Sequence, residues 1–224
     1  MKVKKNFIYD PSLVLFLPLY ELDGTSFMDK SHYGHLATVT GALWRPDGRS
    51  FDGDDYINCG TADILRQTGA QSMFAWIKPT SWDGTPGIMG RGSMATSNTS
   101  QGGIGLFISA GVLYLQHNDG VTSSNTASAF TLSLNTWQYV GFTWDGTTNA
   151  GGLVFYLNEV ADSKTCPVAS IIANPTDDDF FKLGRRSSLG GYFYGTIGEG
   201  LHHSRVLTAS EAQQTRLVTK WRYV

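Results

Sequence analysis

The stretch "SFDGDDYINCG", residues 50–60, sets a Phe-Asp-Gly step and two further aspartates directly before an aromatic and a β-branched residue. Asp52, Asp54 and Asp55 are oxygen donors that suit a metal loop, a pair of catalytic carboxylates or a turn. An EF-hand is excluded because Ile57 stands where its loop requires glycine. The intervening glycine supplies the positive φ of a tight turn, and the residues that follow favour extended backbone. We therefore interpret the stretch as a turn that leads into a strand.

Short apolar or alternating runs continue on both sides of this stretch and are separated by turn residues. They are residues 13–19, 35–41, 72–79, 103–109, 111–117, 137–144, 152–158, 180–184 and 191–198. This spacing is typical of antiparallel sandwiches, and 224 residues with 41% hydrophobic residues suffice for one domain. The Ser/Thr/Asn-rich segments 95–101 and 120–128 are predicted to be loops. Thr208 followed by Glu211 forms a capping-box pattern, which predicts one helix beginning at about Ala209.

Charge and hydropathy exclude two classes of partner. The net charge is −2 and no basic stripe is present, so we expect no nucleic-acid ligand. The nearest basic group, in "GRRSS" at 184–188, is interpreted as a solvated turn. No apolar run reaches the ~18 residues that a membrane-spanning helix requires, so we expect no membrane insertion.

The first residues combine a basic start with an apolar run, yet no signal peptide is visible. Asp10 and Pro11 interrupt the approach, and no small-residue cleavage site follows. We interpret residues 1–12 as an N-terminal arm and residues 13–224 as a single domain that opens with a buried strand. Cys59 and Cys166 lack the spacing of a metal site or a disulfide framework and are predicted to be two separate buried thiols.

Six motifs follow one another in a recognisable order. They are "FDGDDY" (51–56), "SMFAWIKP" (72–79), "NTWQYVGFTWDG" (135–146), "LVFYLNEV" (153–160), "FKLGRR" (181–186) and "YFYGTIGEGLHHSRVLTASEAQ" (192–213). In this order they resemble laminin-G-like jelly-roll domains of the concanavalin A-like lectin and glucanase superfamily. The resemblance implies an all-β fold, a two-sheet antiparallel β-sandwich (jelly roll) with one short C-terminal helix. It does not imply one function, because this fold hosts lectins, adhesion modules, glucanases, lyases and virion proteins.

The resemblance also implies a neighbourhood that holds structural calcium in some jelly rolls. Asp29, Asp52 and Glu199 are the candidate ligands here. The sequence departs from the family at Gly198, where the family has an aspartate, so one oxygen ligand is lost. We favour the alternative that these carboxylates accept backbone N–H groups in turns, and we expect no required cofactor. The histidines at 32, 35, 202 and 203 lack the further ligands that zinc needs.

The residues that catalysis requires are missing from the expected positions. Retaining glucanases of this fold place two carboxylates on one strand face, whereas none of the four glutamates shares a strand with a second acid at i+2 or i+4. Lyases of the fold use a Gln-x-His pattern, but Gln116 and His117 are adjacent and should point to opposite faces. No GxSxG or GxxxxGK[ST] motif occurs. We therefore expect a protein that is not an enzyme.

A carbohydrate surface needs exposed aromatic rings with hydrogen-bonding neighbours. The candidate ligand-binding residues are Trp82, Asn118, Asp119, Tyr192 and Tyr194. Tyr192 and Tyr194 should face outward together if Phe193 faces the core. The alternative for each aromatic residue is packing in the core or at its rim.

These observations favour a non-catalytic binding or adhesion protein that recognises a glycan or a protein surface. We expect it outside the cell or on a virion surface, for example that of a phage. The alternative is a structural or decorating protein of a viral capsid or tail, in which the jelly roll forms a homo-oligomer. A polysaccharide-cleaving enzyme is the third hypothesis.

Overall fold

Two antiparallel β-sheets face each other in the computed structural model, which describes residues 7–92, 102–119, 122–168, 180–186 and 191–223. In chain order, the strands of the described residues are β1 Leu13–Pro18, β2 Ser26–Met28, β3 Leu36–Thr40, β4 Leu43–Arg45, β5 Gly48–Asp52, β6 Tyr56–Asn58, β7 Gln71–Pro79, β8 Gly87–Gly92, β9 Gly103–Ser109, β10 Val112–Asn118, β11 Ser123–Thr131, β12 Gln138–Trp144, β13 Leu153–Leu157, β14 Val160–Lys164, β15 Lys182–Leu183, β16 Arg185–Arg186, β17 Gly191–Tyr192 and β18 Tyr194–His203. One α-helix, α1, spans Ala209–Thr219, and 3₁₀ turns cover Phe7–Tyr9, Asp63–Leu65 and Lys220–Arg222.

Each of the two large sheets has eight strands, and we call them the front sheet and the back sheet. The front sheet has the strand order β11-β10-β9-β8-β15-β6-β3-β2. The back sheet has the order β14-β13-β12-β7-β18-β5-β4, with β1 paired to β18. A small hairpin of β16 and β17 forms a separate two-stranded sheet. The predicted two-sheet antiparallel sandwich with one short C-terminal helix is confirmed.

Successive side chains of a back-sheet strand point to opposite faces of the sheet, and this produces two hydrophobic cores. On β7, Met73, Ala75 and Ile77 point between the sheets into the main core, while Phe74 and Trp76 point the other way. The second group packs in a smaller core with Tyr223 and residues of the α1 region. The central strands of the back sheet are therefore apolar on both faces, as their sequences suggest.

Hydrogen bonds fix α1 over the back sheet. Trp76 Nε1 donates to Thr219 Oγ1 at 2.9 Å, and the Tyr139 and Thr215 hydroxyl groups lie 2.8 Å apart. The predicted capping box of Thr208 is present at the start of the helix. No helix within the described ranges is long and apolar enough to cross a membrane.

The opening motif forms the predicted turn and strand. Asp55 Oδ2 accepts the backbone N–H of Asp52 at 2.9 Å, and Gly53 has φ 109°. Tyr56 then begins β6. Burial is the largest cause that raises the pKa of Asp55, to about 6, and the neighbouring Asp52 charge adds to it.

One loop prediction is wrong and another is outside the described residues. Residues 123–128 of the second segment belong to β11, because Ser123–Thr131 pairs with β10 in an antiparallel ladder that has one register shift, between Val112 and Tyr114. Its small polar side chains suit an edge strand that has half-exposed faces. Segment 95–101 is not among the described residues. The prediction for the cysteines is confirmed, since both Cys59 and Cys166 are buried and free.

Candidate functional site

The outer face of the front sheet collects polar side chains that strand alternation turns away from the core. On β10, Leu113 and Leu115 point into the main core, so Tyr114, Gln116 and Asn118 point outward. On β9 the outward positions are Gly103, Gly105 and Phe107 for the same reason.

Strand register places these outward residues in a row across five strands. Gln116 pairs with Gly105, Gly105 with Gly90, Gly90 with Lys182, and Lys182 with Asn58. The two central positions are glycines, so no side chain stands between the amide of Gln116 and the ammonium group of Lys182. The row thus places hydrogen-bonding groups on both sides of two glycines, and all of its residues except the half-buried Asn58 are buried.

Arg186 is held firmly on this face. Its Nε and Nη2 donate to Gln116 Oε1 at 3.2 and 2.7 Å, and its Nη1 donates to Thr85 Oγ1 at 3.2 Å. Its guanidinium carbon lies 3.9 Å from the centroid of the Phe107 ring. Burial lowers the pKa of Arg186 from its usual value, yet an arginine remains charged in proteins. The interpretation of "GRRSS" as a solvated turn is wrong for Arg186, which is buried and hydrogen-bonded.

The accessible part of the face is an aromatic cluster that we define as Tyr56, Arg185 and Tyr192. The guanidinium carbon of Arg185 lies 5.4 Å from the Tyr56 ring centroid and 5.0 Å from that of Tyr192. All three side chains are half-buried, whereas Gln116 and Arg186 are buried beside them. An arginine between two aromatic rings keeps both its planar surface and its donors in a fixed orientation.

The predicted ligand residues do not form one group. Asn118 lies on the outer face of the front sheet, and Tyr192 belongs to the aromatic cluster. Tyr194 packs over Gly53, while Asp119 accepts the backbone N–H of Thr122 in a turn.

Trp82 lies apart from these residues. Its indole packs against Gly111, where a Cβ atom would be 3.4 Å from the ring nitrogen. Gly111 directly precedes β10, and Asn118 is the last of the seven residues of β10. Trp82 and Asn118 are therefore separated by about the length of this strand, ~20 Å.

The residues that link this face together were not predicted from the sequence. Gln116 was discounted because His117 is its neighbour, and Arg185 and Arg186 were assigned to a turn. The sequence of β10 contained a usable signal. Leu113 and Leu115 indicate the core-facing side of the strand, so residues 114, 116 and 118 lie on its opposite face.

The three candidate calcium ligands lie in different places. Asp29 Oδ1 accepts the backbone N–H groups of Phe16 and Ser31 at 3.1 and 2.7 Å. Asp52 is paired to Tyr194 at the start of β18, whereas Glu199 lies five residues further along that strand, opposite Pro18 of β1. These residues do not fit one calcium ion.

Acidic oxygen atoms do come together elsewhere. Within the described residues, Asp52, Asp54 and Asp55 place carboxylate oxygens within 4.8 Å of one another. Because Asp55 also closes the turn through the backbone of Asp52, the group is accounted for by local structure.

Gln116 and His117 point to opposite faces, as predicted. Gln116 bonds to Arg186 on the outside of the front sheet. His117 lies in the core, 3.4 Å from Cys166 Sγ through its Nδ1, with its ring edge-on to Trp144. Burial lowers the pKa of His117 to about 3 and raises that of Cys166 to about 11, so this pair stays neutral and unreactive near pH 7.

The fold and its motifs agree with comparisons against known proteins. A laminin-G family model, described as the concanavalin A-like lectin/glucanases superfamily, matches residues 51–213. A comparison with curated proteins found no significant match.

Solved structures of similar fold come from several carbohydrate-active proteins. Domain 4 of AbnA, an extracellular GH43 arabinanase from Geobacillus stearothermophilus in complex with arabinotriose, gives a TM-score of 0.67 at 17% identity, covering 91% of this chain and 97% of that domain. A mutant of Trypanosoma rangeli sialidase that displays trans-sialidase activity also gives 0.67 at 17% identity, covering 95% of this chain and 34% of the sialidase. The CBM40 of Ruminococcus gnavus IT-sialidase bound to α2,3-sialyllactose gives 0.56 at 16% identity, covering 69% of this chain and 85% of that one. At these identities the likeness concerns the fold.

Proposed function

Because the chain belongs to the concanavalin A-like lectin/glucanases superfamily, we propose that it is a non-catalytic carbohydrate-binding domain. Its ligand face is the outer face of the front sheet, with the aromatic cluster of Tyr56, Arg185 and Tyr192 as the contact surface. The observation that carries the proposal is this cluster, in which a fixed guanidinium lies between two half-buried rings.

The chemistry of the cluster matches that of a sugar. Pyranose and furanose rings have an apolar face that packs on an aromatic ring, and their hydroxyl groups accept hydrogen bonds from a guanidinium. Binding sites of small ligands combine such aromatic walls with a few placed polar groups. Asn58 lies on the same outward face of β6 as Tyr56 and supplies an amide next to the cluster.

The positions of the glutamates support a non-catalytic role. Glu199 is buried in the back sheet, Glu159 pairs with Arg216, and Glu211 pairs with Arg205. None of these carboxyl groups lies on the outer face of the front sheet, so that face lacks a glutamate pair for acid–base or nucleophilic catalysis.

Two of the compared structures support a glycan as the ligand. The arabinanase domain holds arabinotriose, and the sialidase module holds α2,3-sialyllactose. By extension we propose that this chain works outside the cell, as the arabinanase does, where such oligosaccharides are displayed.

A glycan array followed by isothermal titration calorimetry tests the proposal. We expect saturable binding of at least one oligosaccharide, and Tyr192→Ala should weaken it about tenfold, which corresponds to ~1.4 kcal/mol. Tyr9→Ala is the matched control, because Tyr9 is 83% exposed and lies outside the front sheet. A protein that binds no glycan on the array, or equal losses in both variants, would refute the proposal.

The other hypotheses have separate tests. Recognition of a protein surface and a virion assembly role gain no specific support from the front sheet or from the compared structures. Size-exclusion chromatography with light scattering, with calcium and with EDTA, distinguishes a monomeric binding domain from a stable assembly. Release of reducing ends or unsaturated sugars would point to the enzyme hypothesis.

A further inference from the structure

A cavity of about 460 Å³ lies on the opposite side of the molecule, at the edge of the smaller core. Its apolar wall includes Phe7, Phe16 and Val218. The Phe7 and Phe16 rings meet edge to face at 5.4 Å, which ties the first 3₁₀ turn to β1. The volume falls in the range of about 300–1,000 Å³ that is usual for small-molecule sites.

The polar wall of this cavity carries one fixed cation. The guanidinium carbon of Arg222 lies 3.8 Å from the ring centroid of Tyr20 and 4.3 Å from that of Trp221. Trp221 is 68% exposed and is not one of the residues that line the cavity. Arg222 Nε is buried and has no hydrogen-bond partner within the described part of the chain.

Further buried polar atoms lie behind the same wall. The hydroxyl group of Tyr223 has no hydrogen-bond partner among the described residues, and the buried carboxyl group of Glu199 has only a weak interaction, with the hydroxyl group of Thr219. Glu199 interacts electrostatically with Tyr20 and Arg222, which line the cavity. Buried polar groups are rarely left unpaired, and Arg222 Nε belongs to a residue that lines the cavity, so it points to a polar occupant there.

The charges of the lining favour an anion. Lys30 and Arg222 are cations, and Glu21 is the opposing carboxylate. Glu199 adds no negative charge near neutral pH, because burial raises its pKa to about 8. The wall therefore carries a net charge of +1 on these groups, and Arg222 offers the planar donor geometry that a carboxylate matches.

We propose that this cavity binds a carboxylate-bearing sugar unit, with its carboxylate on Arg222 and Lys30 and its ring against the apolar wall of Phe7, Phe16 and Val218. The site is separated from the front sheet by the whole sandwich. It therefore stands independently of the carbohydrate face proposed above, and each site has its own variants.

Ligand-observed NMR and calorimetry with a defined panel test the proposal. The probes are glucuronic acid, galacturonic acid and N-acetylneuraminic acid, each beside glucose, galactose and N-acetylmannosamine as neutral sugars. We expect at least one acidic sugar to bind the full chain at least tenfold more tightly than the neutral ones. Arg222→Gln should weaken that binding at least tenfold.

Two control variants make the outcome unambiguous. Lys220→Gln removes the same charge from the same 3₁₀ turn, and Lys220 does not line the cavity, so binding should be retained. Tyr192→Ala alters only the front sheet and should also leave the acidic-sugar signal unchanged. Absence of binding for every acidic probe, an equal loss in Lys220→Gln, or a loss only in Tyr192→Ala would overturn the proposal.

Discussion

Gly198 lies against the ring of Tyr223, and this contact explains an unusual position in the sequence. A Cβ atom at 198 would be 2.3 Å from Tyr223 Cε1 and 2.6 Å from its hydroxyl oxygen. The family has an aspartate at this position, whereas here the chain brings an aromatic side chain from its last residues into the same space. Tyr223 in turn stacks on Trp76 with ring centroids 4.7 Å apart.

We predict that Gly198→Ala destabilises the protein by ~1–3 kcal/mol, the usual cost of overpacking a filled core. Urea denaturation measures the change. Gly69→Ala is the control, because nothing lies within 4 Å of a Cβ atom at 69 and its backbone is not left-handed. Equal stability of the two variants would show that Tyr223 moves aside without cost.

Single residues were the hardest to interpret from the sequence. The departure at Gly198 was visible, but its cause was not, because Tyr223 is distant in the chain. Arg186 was assigned, with the rest of "GRRSS", to a solvated turn. Its partner Gln116 is 70 residues away, and no local pattern reveals such a pair.

At the scale of elements, α1 depends on its first turn. Thr208 Oγ1 accepts the N–H of Glu211 at 3.2 Å, while Glu211 Oε2 accepts the N–H of Thr208 at 2.9 Å. Glu211 also binds Arg205, whose side chain reaches Asp10 near the N-terminal turn. The hydrogen bond from Arg205 is the largest cause that lowers the pKa of Glu211, to about 2.

We predict that Thr208→Ala lowers the free energy of unfolding by ~1 kcal/mol, the usual cost of losing an N-cap. Ser210→Ala is the control, since Ser210 is exposed inside the first turn and takes no part in the capping box. Chemical denaturation of both variants checks this expectation, and a Thr208 variant as stable as the Ser210 variant would contradict it.

Elements with strong local signals were predicted well. The capping box predicted the start of α1, and apolar alternation predicted strands such as β7 and β12. Strand β11 was missed because serine, threonine, asparagine and alanine carry little apolar pattern. Its structure is imposed by backbone pairing with β10, so the information lies in the partner strand.

At the scale of the whole molecule, buried ionisable groups should give stability an optimum near pH 6.5. Burial lowers the pKa of His117 and His202 to about 3 and that of His203 to about 4. The unfolded state therefore binds more protons below pH 6.5, and stability falls as the pH drops. Glu199 acts oppositely, because its raised pKa of about 8 lets the folded state hold a proton that the unfolded state has released.

Above pH 6.5, the change of stability with pH reports mainly on Glu199. Between pH 6.5 and 8 we expect stability to fall by up to ~1.4 kcal/mol per pH unit, and Glu199→Gln should flatten this limb. The same variant should steepen the acidic limb between about pH 4.5 and 6.5, where Glu199 opposes the effect of the histidines. Asp55 does not confuse the result, since its pKa of about 6 lies below this window. Urea denaturation at a series of pH values gives both limbs, and an unchanged alkaline slope in the variant would refute the assignment.

The layered architecture was the part of the fold most accessible from the sequence, and the candidate site the least. Both faces of the central strands read as apolar, which agrees with a sheet between two cores. The residues of the proposed ligand face, in contrast, come from segments that are distant in the sequence, such as Tyr56 and the pair of Arg185 and Tyr192.

Both ends of the described chain lie on one side of the sandwich. The 3₁₀ turn at residues 7–9 and the turn at 220–222 contribute to the walls of the same cavity, behind the back sheet. A polypeptide fused at either end would emerge away from the aromatic cluster and leave that surface unobstructed.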